Sequence, residues 1–239
     1  MNILMYHSIS HGPPPLCLSL NTFRRHMDAL VARGMRGVSL ASHLGQPQLD
    51  TVVLTFDDGF VDNFEVVAPE LASRGFSATL FLACDMIDSG RHPCVDSVRL
   101  MGWDEAASLH KAGWEVGSHA CTHHNLTRLP WEECQREIGQ SQQRLQAQLG
   151  VPIPHFAAPF GATNSRVREA ISTCYQAAVG TRLGLMESHS DRFDLPRLEM
   201  FYFRDPARFE AHLDGRGGAY LGLRKLLRAA GQALNWGSK

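Results

Sequence analysis

Short apolar runs rich in β-branched and aromatic residues alternate about seven times with stretches of helical periodicity, and this alternation limits the folds open to the chain more than any other feature. The strand-like runs are Ile3-Leu4-Met5-Tyr6, Val38-Ser39-Leu40, Val52-Val53-Leu54-Thr55-Phe56, and residues 77–82, 114–117, 155–158, 177–179 and 198–201. Between them Phe23, Met27, Leu30 and Val31 follow helical spacing, with Ser19 or Asn21 as cap and Gly34 as stop. Residues 60–74, 103–112, 131–149, 165–174 and 206–213 repeat the pattern, and Pro69 is expected to kink or restart the first of these. Glu133, Arg136, Glu137, Gln140 and Gln143 read as the solvated face of the 131–149 helix. Strands joined through helices pair in parallel, and about seven units favour closure into an α/β barrel over an open sheet. We expect one domain over 1–239, with 216–239 as a C-terminal helical extension.

In such a barrel, chemistry gathers where strands end. Val52 to Phe56 runs into Asp57-Asp58-Gly59. Neighbouring strand residues point to opposite faces, so two adjacent carboxylates can divide their work, one gripping an ion and one handling a proton. They can equally be turn formers and the cap of the next helix. The run Trp114-Glu115-Val116-Gly117 leads into Ser118-His119-Ala120-Cys121-Thr122-His123-His124. His119 and His123 stand four apart, so one helical turn would set both imidazoles on one side, a spacing suited to one divalent ion. With Asp58 they form a two-histidine, one-carboxylate set that leaves positions open for water and substrate. Cys121 and His124 are rival ligands in poorer positions. The first strand delivers His7 to the same rim, whereas His43, His92, His110 and His189 lack partner spacing and read as surface or loop residues.

The 23 Lys+Arg against 24 Asp+Glu give a net charge of -1, so nothing pulls the chain toward nucleic acid or another polyanion. Cys17, Cys84, Cys94, Cys121, Cys134 and Cys174 contain no CxxC pair, which argues for reduced thiols rather than a disulfide framework. Met1 to Ser8 has no basic n-region and no stretch is long enough to span a membrane, so the expected location is the cytoplasm or the inner face of the membrane. Leu223, Leu226, Leu227, Ala230 and Leu234 follow helical spacing beside Arg224, Lys225 and Arg228. This segment, 220–234, either docks on the barrel or touches a membrane surface bearing a lipid-linked sugar. Trp103 and Trp114 read as packing, Trp131 as packing or the wall of a groove.

Thr55-Phe56-Asp57-Asp58-Gly59 resembles the first motif of the polysaccharide deacetylases, the NodB-homology or carbohydrate esterase 4 family, and Gly117-Ser118-His119-Ala120-Cys121-Thr122-His123 resembles the second. The likeness covers roughly residues 1 to 215. It implies a deformed (β/α)7 barrel with parallel strands and metal-dependent removal of an acyl group, usually acetyl from an aminosugar. Carried over, Asp58, His119 and His123 hold one divalent ion, zinc or another, and Asp57 is the general base. Phe156-Ala157-Ala158-Pro159-Phe160-Gly161 resembles the third motif. There Pro159, Phe160 and Gly161 meet the substrate and the Phe160 backbone N–H serves the oxyanion.

Two departures follow. Many members carry arginine where this chain has Ala157; Asp194-Leu195-Pro196-Arg197 resembles the later DxxR motif, and Arg197 either supplies the missing charge to Asp57 or only pairs with Asp194 on the surface. The usual C-terminal Leu-x-His is also missing, His212 lying in a helix. Circularly permuted relatives, the poly-N-acetylglucosamine deacetylases, place a Tyr-His at the end of the first strand, and Met5-Tyr6-His7-Ser8 matches them, with His7 as the acid. The reading is thus a deacetylase acting on an N-acetylated sugar, oligosaccharide or lipid-linked glycan of exopolysaccharide or cell-envelope metabolism. Its rivals are a hydrolase of a linear non-sugar amide and a non-catalytic glycan-binding barrel.

Overall fold

The computed structural model describes residues 1–93 and 98–236. Cys94 and part of the expected 85–98 excursion lie outside the described residues, as does the side chain of Leu234. The strands are β1 (Ile3–Tyr6), β2 (Arg36–Val38), β3 (Thr51–Asp57), β4 (Thr79–Leu82), β5 (Glu115–Ser118), β6 (His155–Ala157), β7 (Ala177–Leu183) and β8 (Leu195–Glu199). The helices are α1 (Leu20–Val31), α2 (Leu40–Gly45), α3 (Ala68–Ala72), α4 (Cys84–Ser89), α5 (Trp103–Lys111), α6 (Trp131–Leu149), α7 (Ser165–Cys174), α8 (Pro206–Leu213) and α9 (Gly218–Trp236). All strand pairings are parallel in the order β1-β8-β7-β6-β5-β4-β3, and β1 pairs with β3 to close a seven-stranded barrel. One edge of β3 is shared: β2 holds it over residues 51–53 and β1 over 53–56.

Side chains alternate with the strand period of two. Ile3, Val53, Phe81, Ala157, Val179 and Leu195 pack together inside the barrel. Leu4, Leu54, Phe56, Leu80, Phe156 and Leu198 face the helix layer with Phe23, Met27, Ile138 and Ile171. The interior phase falls on odd numbers, which aims His7, Asp57, His119 and Arg197 inward before any loop is considered. Gly117 has this phase too, and a Cβ there would stand 2.5 Å from the Phe81 ring, so the barrel closes around Phe81 only because position 117 is bare. Toward the N-terminal end Glu115 pairs with His155 and accepts from Thr79 Oγ1 and the Ala41 amide, both at 2.8 Å, pinning α2 under the barrel.

Several boundaries differ from the sequence reading. Ser39 is not in a strand; its hydroxyl accepts from the Ser42 amide and caps α2. The 60–74 segment is a π turn over Asn63–Val67 continued by α3, with Pro69 in the first turn of α3, where a missing N–H costs nothing. The expected strand at 198–201 starts earlier, at Leu195. Pro196 fits because the β7–β8 ladder is irregular between the pairs Val179–Leu195 and Leu183–Arg197, so no ladder bond is asked of it. Val31 is half exposed rather than on the packed face of α1. The α9 helix docks through Leu221 and Tyr220, whereas Leu223, Leu226 and Leu227 are exposed at 53%, 67% and 52%. Among the described residues no helix is long and apolar enough to cross a membrane.

His26, on α1, is fully buried, its Nε2–H donating to the Phe203 carbonyl at 2.9 Å and its Nδ1 accepting from the Tyr6 hydroxyl at 3.2 Å. Burial pushes its pKa down to about 4, against the small opposing effect of the Phe203 bond. The unfolded chain therefore binds the proton near the ordinary pH 6.5 and the folded one only near 4. Stability contributed by neutral His26 is complete above this window and lost as pH falls through it, about 2 kcal/mol between pH 7 and 5. Urea unfolding at the two pH values should show that loss in the wild type and a smaller one in His26→Gln.

A candidate metal centre at the C-terminal rim

Because every strand runs the same way, His7, Asp57, Asp58, His119 and Phe160 arrive at one end of the barrel, where they line a pocket of about 280 Å³ together with His123. The backbone there is strained. Among the described residues, the non-glycine residues with left-handed φ are Asp58 (75°), Ala120 (65°), His123 (61°) and Phe160 (59°), all in the three rim segments that carry the motifs. Such conformations cost roughly 1 kcal/mol or more each and persist where surrounding structure enforces them.

One ligand-bearing atom each from Asp58, His119 and His123 lie within 4.8 Å of one another, all three residues buried. Asp58 Oδ1 is 3.4 Å from His119 Nε2 and 3.3 Å from His123 Nε2, yet has no hydrogen-bond partner among the described residues. The carbonyl of Ala157 lies 2.7 Å from His119 Nδ1, so that nitrogen carries the proton and Nε2 presents a lone pair. A bare carboxylate oxygen faced by two imidazole nitrogens is a donor set that fits a divalent ion. Burial pushes the Asp58 carboxyl up, but His119, His123 and His92 around it hold it well below the usual carboxylate range. Burial lowers the pKa of His123. It acts the same way on His119, where Asp58 and Asp57 outweigh it and raise the pKa.

Among the described residues, Asp57 and Arg197 form the most enclosed ion pair. Nη1 and Nη2 donate to the two carboxylate oxygens at 2.7 Å each, while Nε donates to the Gly180 carbonyl at 2.7 Å and Nη1 also to Thr55 Oγ1 at 3.1 Å. Burial would raise the Asp57 pKa; the charge and bonds of Arg197, with smaller contributions from His119 and His7, bring it below the ordinary carboxylate value. Of the two partners considered for Arg197, the structure gives it Asp57; Asp194 instead faces Arg182 at 3.5 Å. Ala157 is a buried methyl inside the barrel, and the cation reaches Asp57 from β8.

His7 is half-buried at the pocket wall, and its segment is tied down on both sides. Its carbonyl accepts from Asn63 Nδ2 at 2.8 Å, Ser8 Oγ donates to Asp62 Oδ2 at 2.6 Å, and the Ile9 amide donates to Asp62 Oδ1 at 2.9 Å. Glu199, paired with Met5 in register, has its carboxyl raised by burial, with His7 as the chief opposing charge. Phe160 is 58% exposed and its ring meets that of His123 edge-on at 4.8 Å; Pro159 is buried in the same turn, and Gly161 follows with φ 62°.

Four features differ from the sequence reading. The His119–His123 segment is a loop rather than a helical turn, and left-handed Ala120 and His123 bring the rings to 4.8 Å. That loop is held by Glu137, whose carboxylate accepts from the Cys121 and Thr122 amides and from Thr122 Oγ1, all at 2.9 Å. Glu137 is therefore buried, not solvated; it lies beside the inward stripe Cys134, Ile138, Ser141, Leu145, a position visible in the sequence. His92, expected on the surface, is buried with Nε2 3.2 Å from Asp58 Oδ2. His43 is buried against Thr51 as well. His124 bonds Thr122 in the open, and neither it nor Cys121 belongs to the three-donor cluster. Trp131 lies under Arg166, 4.3 Å from ring centroid to guanidinium, away from the pocket.

A family model described as polysaccharide deacetylase matches residues 45–178. The chain is 26% identical over 219 residues to YxkH of Bacillus subtilis (strain 168), a protein whose name carries the words polysaccharide deacetylase, over 89% of this chain and 75% of that one. Among solved structures, the Streptococcus pyogenes deacetylase PplD in complex with acetate is similar with a TM-score of 0.74 at 22% identity, covering 83% of this chain and 91% of that one. IcaB from Ammonifex degensii gives 0.73 at 19% identity, covering 86% and 95%. At such identities the two structures bear on the fold.

Proposed function

Because the chain belongs to the polysaccharide deacetylase family, we propose that it hydrolyses the N-acetyl group of an aminosugar in a glycan or glycan precursor, using a divalent ion, zinc by its donor set, at Asp58, His119 and His123. The observation that supports this most is the buried, unpartnered Asp58 Oδ1 faced by two imidazoles, next to a second carboxylate held ionised by Arg197. A divalent ion bound there supplies Lewis acidity, making water easier to deprotonate and the amide carbonyl easier to attack.

The chain's own groups do the rest. Asp57, kept as the anion by Arg197, accepts the proton of the attacking water. Arg197 fixes both carboxylate oxygens, so the base is aimed before substrate arrives. The Phe160 N–H, in its left-handed turn, donates to the oxygen on which negative charge grows. His7, clamped through Asn63 and Asp62, gives a proton to the departing nitrogen, so that acetate and a free amine leave. The exposed Leu223, Leu226 and Leu227 of α9 support work at the inner face of a membrane, in exopolysaccharide or cell-envelope metabolism.

Acetate release from N-acetylglucosamine oligomers, measured beside release from a linear N-acetyl alkylamine, tests the reading. Sugar oligomers should be the better substrates, and His7→Ala should lower kcat without changing metal content. Preference for the alkylamine would move the chain to linear amides.

A further inference from the structure

Beside the catalytic pocket lies a larger groove of about 870 Å³, and Thr181 lines both. Four cationic side chains border it with three carboxylates, of which Glu187 lies 3.1 Å from His189. Arg168 is neutralised by Asp191 at 2.9 Å and Arg182 by Asp194 at 3.5 Å. Lys225 and Arg228, one turn apart on α9, border the groove and form no ion pair among the described residues. Arg228 is nevertheless placed: its Nη2 donates to Thr181 Oγ1 at 2.9 Å, which fixes a guanidinium at the junction of groove and pocket with other donors to spare. Leu226 and Leu227, which sit between these two cations in sequence, are exposed, while Lys225 and Arg228 bring positive charge to the groove.

We propose that this groove binds a phosphate or diphosphate attached to the sugar whose acetamide enters the pocket. The inference rests on the deacetylase reading above for the sugar, and on the groove alone for the anion. Two cations on one groove, neither in an ion pair among the described residues, match the charge of a phosphate, and a guanidinium that spends one donor on Thr181 can still offer a forked pair to it. A neutral glycan gives Lys225 and Arg228 nothing to neutralise. Because Thr181 is common to both spaces, the anion lies on the sugar being deacetylated or on the unit joined to it.

The test uses the Asp57→Asn protein for binding and the wild type for turnover. Calorimetry compares methyl N-acetylglucosaminide, N-acetylglucosamine 1-phosphate, its uridine diphosphate form and a short isoprenyl diphosphate form. The 1-phosphate should bind about tenfold more tightly than the methyl glycoside at low salt, with the advantage shrinking as salt rises. Lys225→Gln with Arg228→Gln should erase the advantage and leave acetate release from neutral oligomers unchanged. Tighter binding of the uridine or the isoprenyl form supports the groove and names the source of the phosphate. Equal affinity for neutral and phosphorylated sugars, or an advantage that survives both substitutions, overturns it. Phosphate-dependent binding with no acetate released from any sugar would leave the anion site standing and remove the deacetylase reading instead.

Discussion

Asp57→Asn should lower kcat for acetate release about 10²- to 10⁴-fold, the range spanned by a positioned general base, while metal content stays at the wild-type level. The substitution keeps the shape of the side chain and one acceptor oxygen for Arg197, but removes the carboxylate that, among the described residues, lines the pocket outside the proposed metal donor set. The proposed metal donors Asp58, His119 and His123 are untouched, so a loss of bound ion would not follow from removing a base. Elemental analysis beside the kinetics separates the two. Activity within tenfold of wild type would assign the proton to another group, and parallel loss of metal and activity would make Asp57 a structural part of the metal site.

The largest stability effect is expected at Arg197→Met. Methionine fills much of the same volume but leaves the Asp57 carboxylate buried without its counter-charge and strips donors from Gly180 O and Thr55 Oγ1. Breaking one side of a buried ion pair costs about 3–5 kcal/mol. The pH dependence has a definite sign. In the wild type the folded-state pKa of Asp57 is lowered, so its stabilisation is present above the unfolded value near 3.9 and lost as pH falls through the folded value. In the variant burial acts unopposed by Arg197 and raises the folded pKa, so the deficit at pH 7 should shrink toward pH 5 as Asp57 takes a proton. Denaturant unfolding of Arg197→Met, Asp57→Asn and the double variant measures the coupling; a deficit under about 1 kcal/mol at both pH values would mean that the pair is not formed in solution.

How much was legible differed with the range of the interactions. The parallel barrel could be read because each strand and helix announces itself locally, through β-branched runs and 3.6-residue spacing. The aspartate and histidine motifs could be read because their residue types are conspicuous at strand ends. The conformation of the histidine loop could not: four-residue spacing suggests a helical turn, whereas the segment is bent by left-handed Ala120 and His123 and held by Glu137 from a helix that follows it. Arg197 was visible as a candidate, but choosing between Asp57 and Asp194 needed the strand to begin at Leu195, and Pro196 hides that start. His92 carries no local signal, since its place beside Asp58 is made by an excursion between Gly90 and Pro93.

The proposed chemistry depends on one ion at Asp58, His119 and His123. The most direct measurement is acetate release from N-acetylglucosamine oligomers by chelator-stripped protein titrated with Zn²⁺. Activity should be absent after stripping and return in proportion to added zinc, levelling off at one ion per chain, while His119→Ala should stay inactive throughout. Acetate release that persists in the stripped protein, or that returns equally well in His119→Ala, would contradict it.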